Sequence, residues 1–266
     1  MTNKRTKDEK KALVTGASAG IGAAFAQQLA RRGYDLVLVA RDKKRLDARA
    51  QSLQKEYGVK VDVLAADLTR PEQCARVEKV AADGLDLLVN NAGFGTFGEF
   101  ARLDIEREEE EIRLNVVALV RLTHAGLRGM ILKNRGAIIN VSSLASFQPM
   151  PYNATYGATK AYVTSFTEAL AEELRGTNIR VQALCPGFTR TEFQARAGLS
   201  VSRVPSLLWM SADEVVDASL AALEKGQVVV VPGATYKAMA LATGWVPRLV
   251  TRRIAGMVGR SQFARS

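Results

Sequence analysis

The feature that most constrains this chain is an alternation: short apolar, β-branched runs recur between stretches of helical periodicity from residue 12 to residue 231. Runs without polar alternation suit strands buried on both faces, and strands separated by helices pair in parallel because each crossover returns the chain to the same end. The spacing predicts strands at 12–14, 36–40, 59–64, 85–90, 137–142, 180–184 and 228–231. Helices are predicted at 21–32, 43–57, 71–82, 105–133, 156–175 and 212–224. This is the pattern of one α/β domain, a doubly wound parallel seven-stranded sheet. The 266 residues, 47% of them apolar, suffice for its core and exclude disorder over most of the chain.

Composition narrows the chemistry. Cys74 and Cys185 cannot build a disulfide framework, and a single histidine, His124, leaves no metal site to expect. The charged start of the chain has no apolar signal-peptide core, and no run of 18 apolar residues offers a membrane span, so a reduced, cytoplasmic protein is expected. The net charge of +10 is unevenly placed: +3 lies in residues 1–11 and +6 in residues 234–266. A near-neutral body with basic ends is not a nucleic-acid docking face. The acidic run after Asp104 reads as the solvated first turn of a helix.

Directly after the first strand stands Thr15-Gly16-Ala17-Ser18-Ala19-Gly20-Ile21-Gly22, followed by an apolar helix. Gly16, Gly20 and Gly22 permit a tight turn and close backbone approach, and the helix N-terminus offers unpaired N–H groups to a pyrophosphate. Where a dinucleotide site for NAD places a carboxylate on the adenosine ribose, the second strand ends in Ala40, followed by Arg41. A guanidinium suits a 2′-phosphate, which favours NADP(H), with NAD(H) as the alternative.

Tyr156 and Lys160 stand at i and i+4, one turn apart on one helix face. A tyrosine acting as acid and base near neutrality needs its pKa lowered by up to roughly three units, about 4 kcal/mol, and a neighbouring ammonium supplies part of that. Upstream, Asn140-Val141-Ser142-Ser143 ends an apolar strand, Asn90-Asn91-Ala92-Gly93 ends another, and Asn115 lies inside the long helix.

Together these motifs resemble the short-chain dehydrogenase/reductase family in its compact, single-domain Rossmann-type form, over about residues 12–231. The resemblance implies Tyr156 as general acid and base, with Ser143 hydrogen-bonding the substrate oxygen. Lys160 would bind the nicotinamide ribose and lower the tyrosine pKa, and Asn115 would hold a water that relays protons to Lys160. It also implies a contact from Asp67 to adenine, where an N-cap or turn aspartate is the alternative, with Leu68 next to it at the cofactor, a cofactor wall shaped by Asn91 and Gly93, and Pro186, Gly187 and Thr189 beside the nicotinamide. Ala19 stands where many NADP-dependent members carry a basic residue, so a 2′-phosphate would rest mainly on Arg41, helped by Ser18.

The expected organisation is a basic tail over 1–11, a dinucleotide-binding and catalytic domain over 12–233 with a substrate lid at about 190–210, and a basic amphipathic extension over 234–266. The apolar Leu207-Leu208-Trp209-Met210 either covers a hydrophobic substrate or packs on the core. The expected activity is an NADPH-preferring interconversion of a carbonyl (ketone, aldehyde or oxoacyl group) and an alcohol on a lipophilic small molecule. Alternatives are a non-catalytic NADP sensor and a membrane-surface lipid-modifying reductase, the latter through peripheral contact by 236–259, a segment that otherwise packs as a helix over the cleft or at a subunit contact. By the resemblance, a homodimer or homotetramer is expected.

Overall fold

The β-branched runs form seven parallel strands in the computed structural model, which describes residues 10–193 and 205–245 together with Leu249, Arg252, Arg253, Gly256 and Met257. They are β1 (Lys10–Thr15), β2 (Tyr34–Ala40), β3 (Val61–Ala65), β4 (Leu87–Asn90), β5 (Gly136–Val141), β6 (Ile179–Leu184) and β7 (Val229–Val230). Their order in the sheet is β3-β2-β1-β4-β5-β6-β7. The winding therefore reverses between β1 and β4, and a crevice opens at the carboxyl ends of those strands.

Helices cover both faces. On one side α1 (Gly20–Arg31), α2 (Lys43–Tyr57) and α7 (Ala212–Glu224) pack a core around Phe25, Leu46 and Val216. On the other, α3 (Pro71–Ala82), α5 (Leu119–Lys133) and α6 (Ala154–Glu173) enclose Leu88, Val77 and Leu122. The remaining helices are α4 (Ile105–Ile112) and α8 (Ala234–Trp245). Helix starts are locally encoded: Asp42 accepts the Arg45 N–H at 3.0 Å to open α2, and Ser211 with Glu214 forms a capping box on α7.

Three expectations need correction. Lys10 and Lys11 belong to β1 rather than to a tail: Lys10 pairs with Tyr34, and the Lys11 N–H donates to Asp86 Oδ2 at 2.8 Å. Residues 1–9 lie outside the described residues. The helix expected over 105–133 contains a π segment, Arg113–Ala118, which changes the face presented by each half. The acidic first turn of α4 is not wholly solvated, because Glu108 and Glu111 are buried while Ile105 and Ile112 are exposed. The start of the expected 234–266 extension packs on the body. Tyr236 is buried, and a Cβ on Gly187 would lie 2.3 Å from its ring. Most of 246–259 lies outside the described residues, among which no helix is long and apolar enough to cross a membrane.

Candidate active site

The crevice between β1 and β4 begins with backbone geometry. Gly16 and Gly20 adopt φ of +67° and +54°, in the left-handed region. A Cβ on Gly22 would lie 2.4 Å from both the Gly16 carbonyl oxygen and Asn91 Nδ2. Asn91 braces the turn: its Nδ2 donates to the Thr15 carbonyl at 2.9 Å, and its N–H donates to Thr15 Oγ1 at 2.9 Å. Ala19 stands at the α1 N-cap, and no side chain there accepts a hydrogen bond from the helix. The first turn also carries no acidic residue. Unpaired N–H groups, a positive dipole end and a cradle without Cβ atoms together fit a pyrophosphate.

At the far end of this crevice Arg41 is exposed beyond β2, close enough to Asp67 to act on its charge. Burial pushes the Asp67 carboxyl up, but hydrogen bonds from Thr69 and the Arg41 and Arg70 guanidiniums outweigh it and hold it below the usual carboxylate range. Asp67 Oδ1 accepts from Thr69 N and Oγ1 at 3.0 and 2.7 Å, so this oxygen also organises the turn after β3. Leu68 is buried in the core. Ser18 and Ile21 are half-buried at the loop.

Across the crevice, the end of β5 sorts its two serines by strand alternation. Ser142 points inward and donates to the Lys160 carbonyl at 2.8 Å, whereas Ser143 hydrogen-bonds the Tyr156 phenol. Lys160 is buried; its Nζ donates to the Val141 carbonyl at 2.8 Å and lies 5.6 Å from the Tyr156 ring centre. Asn115 Nδ2 donates to Phe94 O at 2.8 Å and Thr159 Oγ1 at 3.2 Å, and its Oδ1 accepts the Phe94 N–H at 3.2 Å. Its side chain is thus a tie between loop and helix. Gly93 brings Asn115 and Lys160 near one another, because a Cβ there would lie 2.8 Å from Asn115 Oδ1 and 3.5 Å from Lys160 Nζ.

The electrostatics differ from expectation. Desolvation pushes the Tyr156 phenol up to about 12; the Ser143 hydrogen bond lowers it, and the nearby Glu111 raises it. Lys160 is pushed down to about 8 by its own burial, opposed by Glu111. Burial of both groups therefore outweighs the lowering of the tyrosine pKa expected from a neighbouring ammonium.

The segment after β6 crosses the crevice. Pro186 O accepts the Leu144 N–H at 2.9 Å, and the buried Thr189 donates to Gly187 O at 3.1 Å. Thr191 touches the space above Gly20, Glu192 pairs with Arg45 at 3.0 Å, and the Phe193 ring lies 5.5 Å from that of Tyr156. Of the expected lid, 194–204 lies outside the described residues. Beyond it Met210 packs on the core, Leu207 is exposed, and Trp209 meets Phe188 at 5.6 Å. Tyr236 joins the two edges of this segment, donating its hydroxyl hydrogen to Leu208 O and accepting the Phe188 N–H at 3.1 Å.

Glu111, Thr96, Phe193 and Tyr236 escape motif reading. Only Glu111 carries a sequence signal, since Glu108, Glu111 and Asn115 stand at i, i+3 and i+7, one face of a helix.

Comparison with known proteins shows the family. The family model for short chain dehydrogenases matches residues 10–200. Hydroxysteroid dehydrogenase-like protein 1 of Gallus gallus is 34% identical over 216 residues, covering 80% of this chain and 65% of the relative. The 7beta-hydroxysteroid dehydrogenase of Collinsella aerofaciens is 35% identical over 191 residues, 71% of this chain and 72% of that protein. Among solved structures, a short-chain dehydrogenase from Sphingobium yanoikuyae in complex with NADPH is 43% identical, with a TM-score of 0.81 over 88% of this chain and 93% of that one. Because the family match runs from β1 past the segment lying over Tyr156, and so takes in both sides of the crevice, the chain belongs to the short-chain dehydrogenase/reductase family.

Proposed function

We propose that the protein is an NADPH-preferring oxidoreductase that interconverts a carbonyl and an alcohol on a lipophilic small molecule. The observation carrying this reading is the convergence of Ser143, Tyr156 and Lys160 on one side of a crevice whose other side is the uncapped start of α1. The glycine loop with Ser18, Gly20 and Ile21 would hold the pyrophosphate, and Arg41 the 2′-phosphate. Asp67, with Leu68 next to it, would meet the adenine; Asn91, Gly93, Pro186, Gly187 and Thr189 would line the nicotinamide half. The bound cofactor supplies or accepts the hydride.

Tyr156 Oη delivers a proton to the carbonyl oxygen as alkoxide charge develops, and the Ser143 hydroxyl donates a second hydrogen bond to the same atom. A phenol pushed up to about 12 is protonated at neutral pH and so carries the proton that the alkoxide takes up. Lys160 would hold the nicotinamide ribose, and its ammonium, on the turn next to Tyr156, stabilises the phenolate left when the proton is delivered. Phe193 covers the Tyr156 ring and limits access of water. The exposed Phe188 and Leu207, with relatives named for hydroxysteroids, support a lipophilic substrate. Exposed Ile105, Ile112 and Val117 support a homo-oligomer, to be read as a dimer or tetramer by sedimentation.

A screen of NADPH oxidation across bulky ketones, aldehydes and oxoacyl thioesters tests the reading. Turnover of a lipophilic member of the set is expected; tight NADPH binding without any turnover would favour the sensor alternative.

A further inference from the structure

The helix α4 wears its polarity inside out, with Glu108 and Glu111 buried and Ile105 and Ile112 in solvent. Burying neighbouring carboxylates is unfavourable unless each is held by specific partners. Glu111 Oε2 accepts hydrogen bonds from Thr96 N and Thr96 Oγ1, both at 2.9 Å. Its Oε1 is buried without a hydrogen-bond partner among the described residues. Thr96 follows Gly95, where a Cβ would lie 2.8 Å from the Tyr156 ring. One turn along the same helical run, Asn115 grips this segment at Phe94. Asn153 Nδ2, from just before α6, also donates to Thr96 O. The wall against Tyr156 is thus fastened from two helices.

Charge couples the same groups. Glu108 faces Glu111 from its own helix, while Lys160 and Tyr156 face it from α6. Cys185, at the end of β6, faces that pair in turn. Arg107 is engaged elsewhere, 3.9 Å over the Phe94 ring. Burial pushes the Glu111 carboxyl up to about 7; Thr96 and Lys160 pull it down, and Glu108 pushes it further up.

We infer that Glu111 is a positioning residue: it latches the Phe94–Thr96 wall against the Tyr156 ring, and its charge state is felt by the Tyr156 and Lys160 pair. The kinetic side of this inference rests on the oxidoreductase reading, whereas the charge coupling is tested in the free protein, without cofactor or substrate. Three variants separate the parts. Glu111→Gln keeps an acceptor for Thr96 and removes the charge. Glu111→Asp keeps the charge and withdraws it from Thr96. Glu111→Ala removes both.

The first readout is the ultraviolet titration of tyrosinate in the free protein, with Tyr156→Phe subtracted to isolate this phenol and circular dichroism confirming the fold. Glu111→Gln is expected to ionise Tyr156 about one pH unit lower, because a like charge has gone, while Glu111→Asp stays near wild type. In turnover, Glu111→Gln moves the alkaline limb of the reductive pH profile down by the same amount with little change in KM. Glu111→Asp and Glu111→Ala raise KM for the carbonyl severalfold. Glu111→Ala and Glu111→Asp proteins with a wild-type KM for the carbonyl overturn the latch, and a Tyr156 titration that does not move in Glu111→Gln overturns the charge coupling. Wild-type protein that binds NADPH without turnover overturns the functional reading instead, and the titration still judges the coupling.

Discussion

The two sides of the crevice are built by different means. The side proposed to hold phosphate is backbone: positive φ at Gly16 and Gly20, no room for a Cβ at Gly22, an uncapped helix start, and one brace from Asn91. The side proposed to meet substrate is assembled from side chains of separate segments: Thr96 latched by Glu111, Phe193 over Tyr156, and Tyr236 joining Phe188 to Leu208. Backbone approach can be met by few residues other than glycine, so it leaves a fixed pattern in the chain. Side-chain packing has many solutions, so the second side leaves no fixed pattern in the chain.

The difference can be broken experimentally, beginning with the largest effect. Glu111 has its pKa raised in the folded state, so its stabilising contribution is complete below the unfolded value near 4.5 and is lost as pH rises through about 7. Wild-type stability should therefore fall by up to roughly 3 kcal/mol across that window from this group, and Glu111→Gln should flatten the fall in denaturant titrations. On the opposite side, Gly22→Ala drives a Cβ into Gly16 O and Asn91 Nδ2. NADPH affinity should drop by ~100-fold, about 2.7 kcal/mol, measured by fluorescence or calorimetry; normal binding would mean the cradle is not the phosphate site.

Tyr236→Phe keeps the ring against Gly187 but leaves Phe188 N–H and Leu208 C=O without their shared hydroxyl. A rise of ~10-fold in KM for the carbonyl, about 1.4 kcal/mol, with NADPH affinity unchanged would localise its effect to the substrate side. The smallest change is expected from Arg41→Ala, which should weaken NADPH by ~5-fold, about 1 kcal/mol, and leave NADH nearly unaffected. Equal losses for both cofactors would remove Arg41 from the 2′-phosphate.

What the chain discloses before folding follows the same division. The glycine loop, the alternation of strands and helices, and the turn-apart Tyr156 and Lys160 are local relations, visible along the chain. The pairing of Phe188 with Tyr236 spans 48 residues and has no local mark. Glu111 had a mark in its spacing to Asn115, but charge runs at helix starts are usually solvated, and only the contact with Thr96 shows otherwise. The Tyr156 phenol was expected to be lowered by Lys160. Burial of both groups and the unforeseen carboxylate of Glu111 reverse that sign.

The central claim is that Tyr156 Oη supplies the proton to the reduced carbonyl. Single-turnover oxidation of bound NADPH by a responsive ketone, in wild type and Tyr156→Phe, tests it most directly. The account predicts NADPH affinity within about twofold of wild type and a hydride-transfer rate lower by ~100-fold or more. A Tyr156→Phe protein that oxidises NADPH at the wild-type rate would contradict it.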